Sequence, residues 1–318
     1  MSDASQQESS DNFDVVIIGG GPGGYGAALY GASAGLRIVM VEKDKVGGTC
    51  LHRGCIPAKE LLETAHVRQT VLGADRFGIT TGEATVDWSV TQTRKQTVID
   101  QLHKGLSGLI KKRKIETVSG TGRLEADRSV SVKLADGGTR TLRGDTVILA
   151  TGSVPRTIPG FEPDGTVVCT SDEFLELADL PRRAVVIGGG AIGCEFASTM
   201  ADMGAEVTIL EAMPKILPGL DEDVAKQVLR SFKKKKITVR AGVKVSGHSP
   251  DGSGGTTVNF GDGESIECDM VVVSVGRRPY TDTLLAEGTG VELDDRGFVT
   301  VNDTCRTTVD GVWAVGDC

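Results

Sequence analysis

Two cysteines five positions apart are the residues in this sequence best suited to do chemistry. Cys50 and Cys55 lie in the glycine-rich stretch 47–59. Five residues of regular helix rise about 7.5 Å, which exceeds the roughly 7 Å that can separate the α-carbons of a disulfide. The backbone between the two cysteines must therefore be irregular if their sulfurs bond, and Gly54 permits that irregularity. A helix beginning near Cys55 would favour its thiolate.

This spacing predicts a dithiol that alternates between bridged and open forms. Pro57 suits the first turn of a helix or a kink in one, which agrees with a helix that begins near Cys55. The alternative is that the two cysteines are unrelated buried thiols, because free cysteine packs as a small hydrophobic residue.

A repeated pattern indicates the elements that position this pair. Residues 14–42 read as an apolar strand, a glycine turn, a helix and a second strand that ends in Glu42. Residues 183–211 repeat the same order and end in Glu211, 169 positions later. The glycines of the two G-x-G-x-x-G turns keep the same offset: Gly19, Gly21 and Gly24 in the first, and Gly188, Gly190 and Gly193 in the second. Two such patterns with correctly placed strands and acids predict two dinucleotide sites.

Each residue of the pattern has a physical role in holding a dinucleotide. The first glycine makes the tight turn, the second lets the backbone approach a pyrophosphate, and the third allows close packing of helix on sheet. Glu42 and Glu211 would then accept hydrogen bonds from a ribose 2′-hydroxyl. Because a carboxylate repels a 2′-phosphate, Glu211 predicts NAD and not NADP at the second site. Lys215 argues weakly against this, and we interpret it as a solvated surface charge beyond the strand end.

The remaining pattern predicts an α/β fold with two Rossmann-like domains, parallel sheets and small antiparallel β-meanders. A helix is predicted over 87–114 and a loop over 249–255. Strands are predicted within 116–134 and over 139–150, 237–245, 256–260 and 270–275. The basic runs 111–114 and 233–236 could form a polyanion-binding patch, but helix C-termini with hydrated cations fit them better.

Composition narrows the class of protein. The chain has 318 residues, 39% of them hydrophobic and 25% charged, with a net charge of -8. This balance argues against nucleic acid or an anionic membrane as the main partner. No apolar run approaches the roughly 20 residues of a membrane span, and we expect no metal site. Seven scattered cysteines fit a reducing compartment better than a disulfide scaffold, so we expect a cytoplasmic protein.

Five segments together resemble the flavoprotein disulfide reductases, also called pyridine nucleotide-disulfide oxidoreductases. They are 47–59, the doubled glycine motif, 150–153, Gly276-Arg277 with Pro279, and 307–317. The resemblance runs from about Phe13 to the last residue and is strongest to the branch that oxidises dihydrolipoamide. It implies an FAD-binding domain over 13–153, an NAD-binding domain over 154–275 and a return to the FAD-binding domain over 276–318. Residues 1–12 are expected to be a disordered lead-in.

The resemblance also implies a role for individual side chains. Cys50 would exchange with a substrate dithiol, and the Cys55 thiolate would lie against the flavin. Lys59 and Glu195 would form an ion pair beside flavin N5; without the resemblance they read as a helix-surface lysine and a first-turn helix acid. The residues expected at FAD are Gly19, Gly21, Gly24, Glu42, Lys43, Gly48, Thr49, Lys59, Gly122, Thr151, Gly152, Ser153 and Asp317. Those expected at NAD are Gly188, Gly190, Ile192, Gly193, Glu211, Val243, Gly276 and Arg277.

The implied reaction is the oxidation of dihydrolipoamide, carried on the lipoyl domain of 2-oxoacid dehydrogenase complexes, through the Cys50–Cys55 disulfide and FAD to reduce NAD. Relatives continue into a dimerisation domain that supplies an acid-base histidine to the partner subunit, so we expect a homodimer for the full-length protein and an interface domain absent from this chain. None of the four histidines lies in a matching context. His52-Arg53 stands where many relatives have Asn-Val, and His52 is expected to shape or charge the disulfide loop.

Two other functions stay open from the sequence alone. One is a related reductase that acts on a small thiol or on mercuric ion. The other is a non-catalytic module that only binds FAD and NAD.

Overall fold

The computed structural model describes residues 11–252 and 254–318. They form two compact units, each of which contains segments from distant parts of the chain. The first unit comprises the described residues as far as His52, together with Ile99–Val154 and Arg278–Cys318. The second comprises Arg53–Val98 and Pro155–Arg277. The chain passes between them along β6 (Ser153–Pro155) and β15 (Arg277–Pro279), which pair with each other as a two-stranded sheet.

The first unit is built on a parallel sheet. Its strands are β1 (Asn12–Ile18), β2 (Ile38–Glu42), β3 (Glu116–Leu124), β4 (Val130–Leu134), β5 (Thr139–Leu149) and β16 (Val312–Ala314). The parallel strands follow the order β3-β2-β1-β5-β16. The C-terminal half of β3 and the N-terminal part of β5 pair antiparallel with β4. These three strands form the predicted antiparallel meander.

Helices of the first unit follow the strand ends. α1 (Pro22–Ser33) joins β1 to β2, and α2 (Gly48–His52) follows β2. α4 (Trp88–Lys112) begins in the second unit and ends in the first. The strands β1 and β2 are almost completely buried, because a parallel sheet is covered on both faces and its strands become continuous runs of Val and Ile.

The second unit repeats this architecture. Its parallel sheet has the order β10-β9-β8-β14-β7. The strands are β7 (Val168–Cys169), β8 (Arg183–Ile187), β9 (Glu206–Glu211), β10 (Thr238–Ala241) and β14 (Met270–Val273). An antiparallel meander is added by β11 (Val245–Pro250), β12 (Thr256–Phe260) and β13 (Glu264–Cys268). The helices are α3 (Cys55–Leu72), α5 (Ser171–Phe174), α6 (Ala191–Asp202) and α7 (Glu222–Lys234), and a 3-10 turn covers Ala74–Phe77.

The predicted α/β class is confirmed, and the differences lie at element ends. The predicted strand 237–245 is wrong as one element: β10 ends at Ala241, Gly242 turns the chain at φ +75°, and β11 starts at Val245. The predicted loop 249–255 is shorter because β11 continues to Pro250. The predicted lead-in 1–12 differs at its end, since β1 begins at Asn12 and the Asp11 carboxylate binds Arg140 at 2.5 Å. Residues 1–10 of that prediction lie outside the described residues.

Residues 53–98 group with the second unit, although the sequence places them in the first domain. Arg68 and Gln69 of α3 each donate to the Asp202 carbonyl oxygen of α6 at 2.6 Å. The Trp88 indole donates to Leu177 O at 2.9 Å, and the buried Lys95 ammonium donates to Leu175 O at 2.5 Å. These tertiary contacts join residues 80 to 134 positions apart, which helix periodicity cannot reveal.

Candidate redox and nucleotide-binding sites

The segment that carries Cys50 is packed against the first glycine turn. Gly47 N donates to Gly20 O at 2.8 Å, and Gly47 and Gly48 have φ values of +114° and +58°. A Cβ atom on Gly48 would lie 2.6 Å from the Gly21 α-carbon. Only glycine allows this approach, so α2 and the half-buried Cys50 are held beside the turn at the end of β1.

The backbone breaks between the two cysteines, as the five-residue spacing predicts. α2 ends at His52, and Gly54 has φ −153° and ψ −109° before α3 begins at Cys55. Cys55 is exposed at the first position of α3, and Pro57 is buried in its first turn. The predicted helix start near Cys55 is therefore confirmed.

The four buried cysteines of the described residues are poor candidates for thiol chemistry. Burial raises the pKa of Cys169 and of Cys194 to about 12, and that of Cys268 to about 11. Burial also raises the pKa of Cys318. Since the thiolate is the nucleophile, these four sulfurs stay neutral and inert near pH 7.

Lys59 and Glu195 form an ion pair within the second unit. The Lys59 ammonium lies 2.6 Å from Glu195 Oε1, and the side chains are 58% and 34% exposed. Lys59 is on α3 and Glu195 on α6, so 136 positions separate them. Glu195 lies in the second turn of α6 and not in the first turn as the sequence suggested. The pairing itself is the one that the resemblance implies.

The first and third glycines of both turns are required by the protein's own backbone. A Cβ on Gly19 would lie 2.1 Å from Ala150 O, and one on Gly188 would lie 2.3 Å from Ser274 O. A Cβ on the third glycine would lie 1.8 Å from Gly19 O at Gly24, and 2.1 Å from Gly188 O at Gly193. The two turns thus have the same internal packing.

The second glycine of each turn is different, because nothing in its own unit fills the space beside it. A Cβ on Gly190 would meet no atom within 4 Å, and one on Gly21 would meet only the Gly48 α-carbon at 3.8 Å. Each glycine precedes the first residue of a helix, α1 or α6, and neither carries a side-chain cap. A bare backbone at an open helix N-terminus fits the pyrophosphate of a dinucleotide.

The two acids of the repeat hold the glycine turns in place. Glu42 accepts from Gly20 N at 2.7 Å and from Asp44 N at 2.8 Å. Glu211, which is 7% exposed, accepts from Gly189 N at 2.5 Å and from Met213 N at 2.7 Å. Each carboxylate oxygen keeps a second lone pair for a ligand hydroxyl. The sequence did not reveal these backbone contacts.

A cavity of about 740 Å³ in the second unit gathers seven of the eight residues predicted at NAD: Gly188, Gly190, Ile192, Glu211, Val243, Gly276 and Arg277. Gly193 is outside the lining because it packs on Gly188 O. Ser274, Met213 and Lys244 also line the cavity and were missed. Ser274 Oγ is buried without a hydrogen-bond partner among the described residues, so it offers a polar group to a ligand.

A smaller cavity of about 40 Å³ in the first unit is lined by five of the residues predicted at FAD: Gly19, Glu42, Lys43, Gly122 and Thr151. Thr151 Oγ1 is buried and also lacks a partner among the described residues. Tyr280 also lines this cavity, and the sequence did not predict it. The Lys43 ammonium lies 3.3 Å from the centroid of the Tyr280 ring, a cation–π contact that sequence spacing cannot predict.

The other residues predicted at FAD lie outside that cavity. Gly21, Gly24, Gly48 and Thr49 belong to the first glycine turn and to α2. Gly152 has φ +69° and accepts from Tyr280 N at 2.8 Å, Ser153 is buried, and Asp317 is exposed near the end of the chain. Lys59 belongs to the second unit.

No group of three or more His, Cys, Asp or Glu side chains is arranged to hold a metal ion within 11–252 and 254–318. None of the helices in these ranges has the length and apolar character that crossing a membrane requires.

Comparison with known sequences identifies a family. Residues 13–318 match the pyridine nucleotide-disulphide oxidoreductase family. Dihydrolipoyl dehydrogenase of Chlorobaculum parvum is 39% identical over 314 residues, which cover 98% of this chain and 67% of the relative. Dihydrolipoyl dehydrogenase of Bacillus subtilis is 39% identical over 320 residues, covering 96% and 67%.

Solved structures agree with the sequence comparison. LpdA from Mycobacterium tuberculosis superposes with a TM-score of 0.90 at 26% identity, covering 96% of this chain and 67% of that one. The HOCl-induced flavoprotein disulfide reductase RclA from Escherichia coli, solved as a Cu(II) complex, has a TM-score of 0.82 at 28% identity, with 96% and 66% covered. The chain thus spans about two thirds of the length of these relatives. On its sequence, its doubled fold and its paired glycine turns, the chain belongs to the pyridine nucleotide-disulphide oxidoreductases.

Proposed function

We propose that the full-length protein is a dihydrolipoamide dehydrogenase that uses FAD and reduces NAD. The observation that carries the proposal is the position of the two cysteines. Cys50 lies on a short helix seated on the first glycine turn, and Cys55 opens the next helix after a break in the backbone. A dithiol beside a nucleotide turn suits electron transfer between thiols and a bound cofactor.

In the proposed reaction, the Cys50–Cys55 disulfide accepts the electrons of the substrate. A thiolate of dihydrolipoamide attacks Cys50 Sγ, a mixed disulfide forms, and Cys55 leaves as a thiolate. The second thiolate of the substrate then attacks its neighbouring sulfur, so that lipoamide departs with its disulfide closed and Cys50 is released as a thiolate. Two electrons reach the cysteine pair, and two protons are lost from the substrate thiols.

Bound FAD would transfer two electrons from the dithiol to NAD. The residues of the first unit would hold it: Gly19, Gly21, Gly24, Glu42, Lys43, Gly48, Thr49, Gly122, Thr151, Gly152, Ser153 and Asp317. The Lys59–Glu195 pair would keep a fixed charge arrangement beside the reacting ring. The bare backbone at Gly21 would approach the pyrophosphate without steric obstruction.

NAD would occupy the 740 Å³ cavity of the second unit. The lining residues would be Gly188, Gly190, Ile192, Glu211, Val243, Gly276 and Arg277, with Gly193 supporting the turn. Glu211 would accept a ribose 2′-hydroxyl, and its negative charge would repel the 2′-phosphate of NADP.

The named relatives support the choice of substrate, since two dihydrolipoyl dehydrogenases are 39% identical to the chain. By the same argument we propose the lipoyl domain of a 2-oxoacid dehydrogenase complex as partner, a homodimer as the assembly and the cytoplasm as the location. The acid-base histidine has no candidate among the described residues that matches the family context.

The test is steady-state turnover of the full-length protein with dihydrolipoamide and NAD. Cys50→Ser and Cys55→Ser should each abolish turnover, while Cys305→Ser, at an exposed cysteine on a separate loop, should leave it unchanged. Reduction of a small disulfide with NADPH, without dihydrolipoamide oxidation, would contradict the proposal. That outcome would favour a related disulfide reductase, the second candidate that the likeness to RclA supports.

A further inference from the structure

A pair of histidines meets at the start of the segment that carries Cys50. His52 closes α2, and His103 lies on α4. Their ring centroids are 5.1 Å apart with an edge-to-face angle of 65°. Both belong to the first unit, and the reaction proposed above uses neither of them.

Both rings contact one backbone carbonyl. His52 Nε2 lies 3.0 Å from Val46 O, and His103 Nδ1 lies 2.9 Å from the same oxygen. A carbonyl oxygen only accepts, so each of these nitrogens must carry the hydrogen. The carbonyl has two lone pairs and can accept both bonds. The geometry therefore requires an N–H at Nε2 of His52 and an N–H at Nδ1 of His103.

Val46 precedes the two glycines that seat the segment on the first glycine turn. The His52 ring lies close to Gly47: a Cβ on Gly47 would lie 3.1 Å from His52 Nε2 and 2.4 Å from Leu51 Cδ2. The segment 46–52 is thus held by Gly47 N on Gly20 O, and by the two imidazoles on Val46 O. Cys50 lies inside this closed loop.

We propose that His52 and His103 form a clamp on Val46 O that positions the Cys50 sulfur, acting through the backbone and not as acid or base. The functional meaning of this clamp rests on the proposed role of Cys50 as the exchanging thiol. Its structural effect, restricted access to a half-buried sulfur, can be measured without turnover.

The two histidines make a sharp test possible because amide side chains imitate one ring nitrogen each. Gln places its NH₂ near the position of Nε2, and Asn places its NH₂ near the position of Nδ1. His52→Gln and His103→Asn should therefore keep the clamp, whereas His52→Asn and His103→Gln should break it, as His52→Ala and His103→Ala should.

The measurement is the alkylation rate of Cys50 by iodoacetamide in the reduced full-length protein, followed by peptide mass spectrometry. Cys305, exposed on a separate loop, serves as the internal reference. Clamp-breaking variants should alkylate Cys50 about fivefold faster, the size expected for the loss of one hydrogen bond. Clamp-keeping variants should stay within about twofold of the unmodified protein.

Wild-type Cys50 rates in both Ala variants would overturn the clamp, and so would equal rates for Gln and Asn at either position. A parallel rise at Cys305 would mean general loosening of the fold and would also overturn it. If an Ala variant does not fold, the comparison of Gln with Asn at that position decides alone. Because no step uses dihydrolipoamide, the result is independent of whether the proposed function holds.

Discussion

Replacing Gly190 by Ala should weaken nucleotide binding while leaving the folding of the second unit nearly unchanged. Gly190 has φ −73° and ψ −177°, which any residue adopts, and a Cβ there meets no atom within 4 Å. Ala is a poorer residue than Gly before a helix, but by only a few tenths of a kcal/mol to about 1 kcal/mol. The methyl group would occupy the space where a pyrophosphate must approach the backbone.

Gly193→Ala is the matched control, three residues along the same turn. Its Cβ would lie 2.1 Å from Gly188 O. Because the backbone fixes the position of a Cβ and Gly188 O is itself a backbone atom, no side-chain rotation relieves the clash. Overpacking of this kind costs about 1–3 kcal/mol or more. We therefore expect a clear loss in the free energy of unfolding for Gly193→Ala and a loss below about 1 kcal/mol for Gly190→Ala.

The assay combines calorimetric titration with NADH and urea unfolding of the same samples. Gly190→Ala should raise the Kd for NADH at least about tenfold, which corresponds to about 1.4 kcal/mol of lost binding energy. Wild-type affinity in Gly190→Ala would refute the placement of a pyrophosphate beside Gly190. Equal destabilisation by the two substitutions would refute the packing argument that distinguishes the second glycine from the third.

Three further predictions concern Glu211, Lys59 and Cys194. Glu211→Gln should narrow the preference for NADH over NADPH, measured as the ratio of the two Kd values, and should cost about 1–3 kcal/mol of unfolding free energy because a buried backbone N–H loses its acceptor; an unchanged ratio would contradict the ribose assignment. Lys59→Met should change the free energy of unfolding by less than about 1 kcal/mol, since the Lys59–Glu195 pair is partly exposed; turnover should nevertheless fall, and a variant with wild-type turnover would remove the pair from the site. Burial raises the pKa of Cys194 from 9.0 to about 12, so the folded chain keeps a proton that the unfolded chain loses above pH 9. Stability should therefore be fully present below pH 9 and decline as pH rises towards 12; urea unfolding at pH 8 and pH 10 should show the loss, and Cys194→Ala should reduce it.

The repeated pattern could be read from the sequence because its causes are local. Gly19 and Gly188 are needed for positive φ angles, and the strands before them are continuous apolar runs, so both signals lie within a few residues. The sequence also predicted a break between the cysteines on the condition that their sulfurs bond, from the rise of a helix and the limits of a disulfide.

Features that depend on distant packing could not be read in this way. The grouping of 53–98 with the second unit rests on contacts such as Trp88 to Leu177 O. His103 contacts Val46 O from 57 positions away in the sequence. The contact between Lys43 and Tyr280 joins residues that are still farther apart. The split of the predicted strand 237–245 was missed because Gly242 was not recognised as a turn.

In the proposed reaction, Cys50 and Cys55 exchange electrons with a nicotinamide cofactor bound by the same chain. Differential alkylation of the full-length, FAD-loaded protein before and after anaerobic addition of NADH tests it directly. We predict that the peptides carrying Cys50 and Cys55 resist alkylation before NADH is added and become alkylated together afterwards, with Cys305 reactive throughout. Alkylation of Cys50 and Cys55 that does not depend on NADH would contradict this electron exchange.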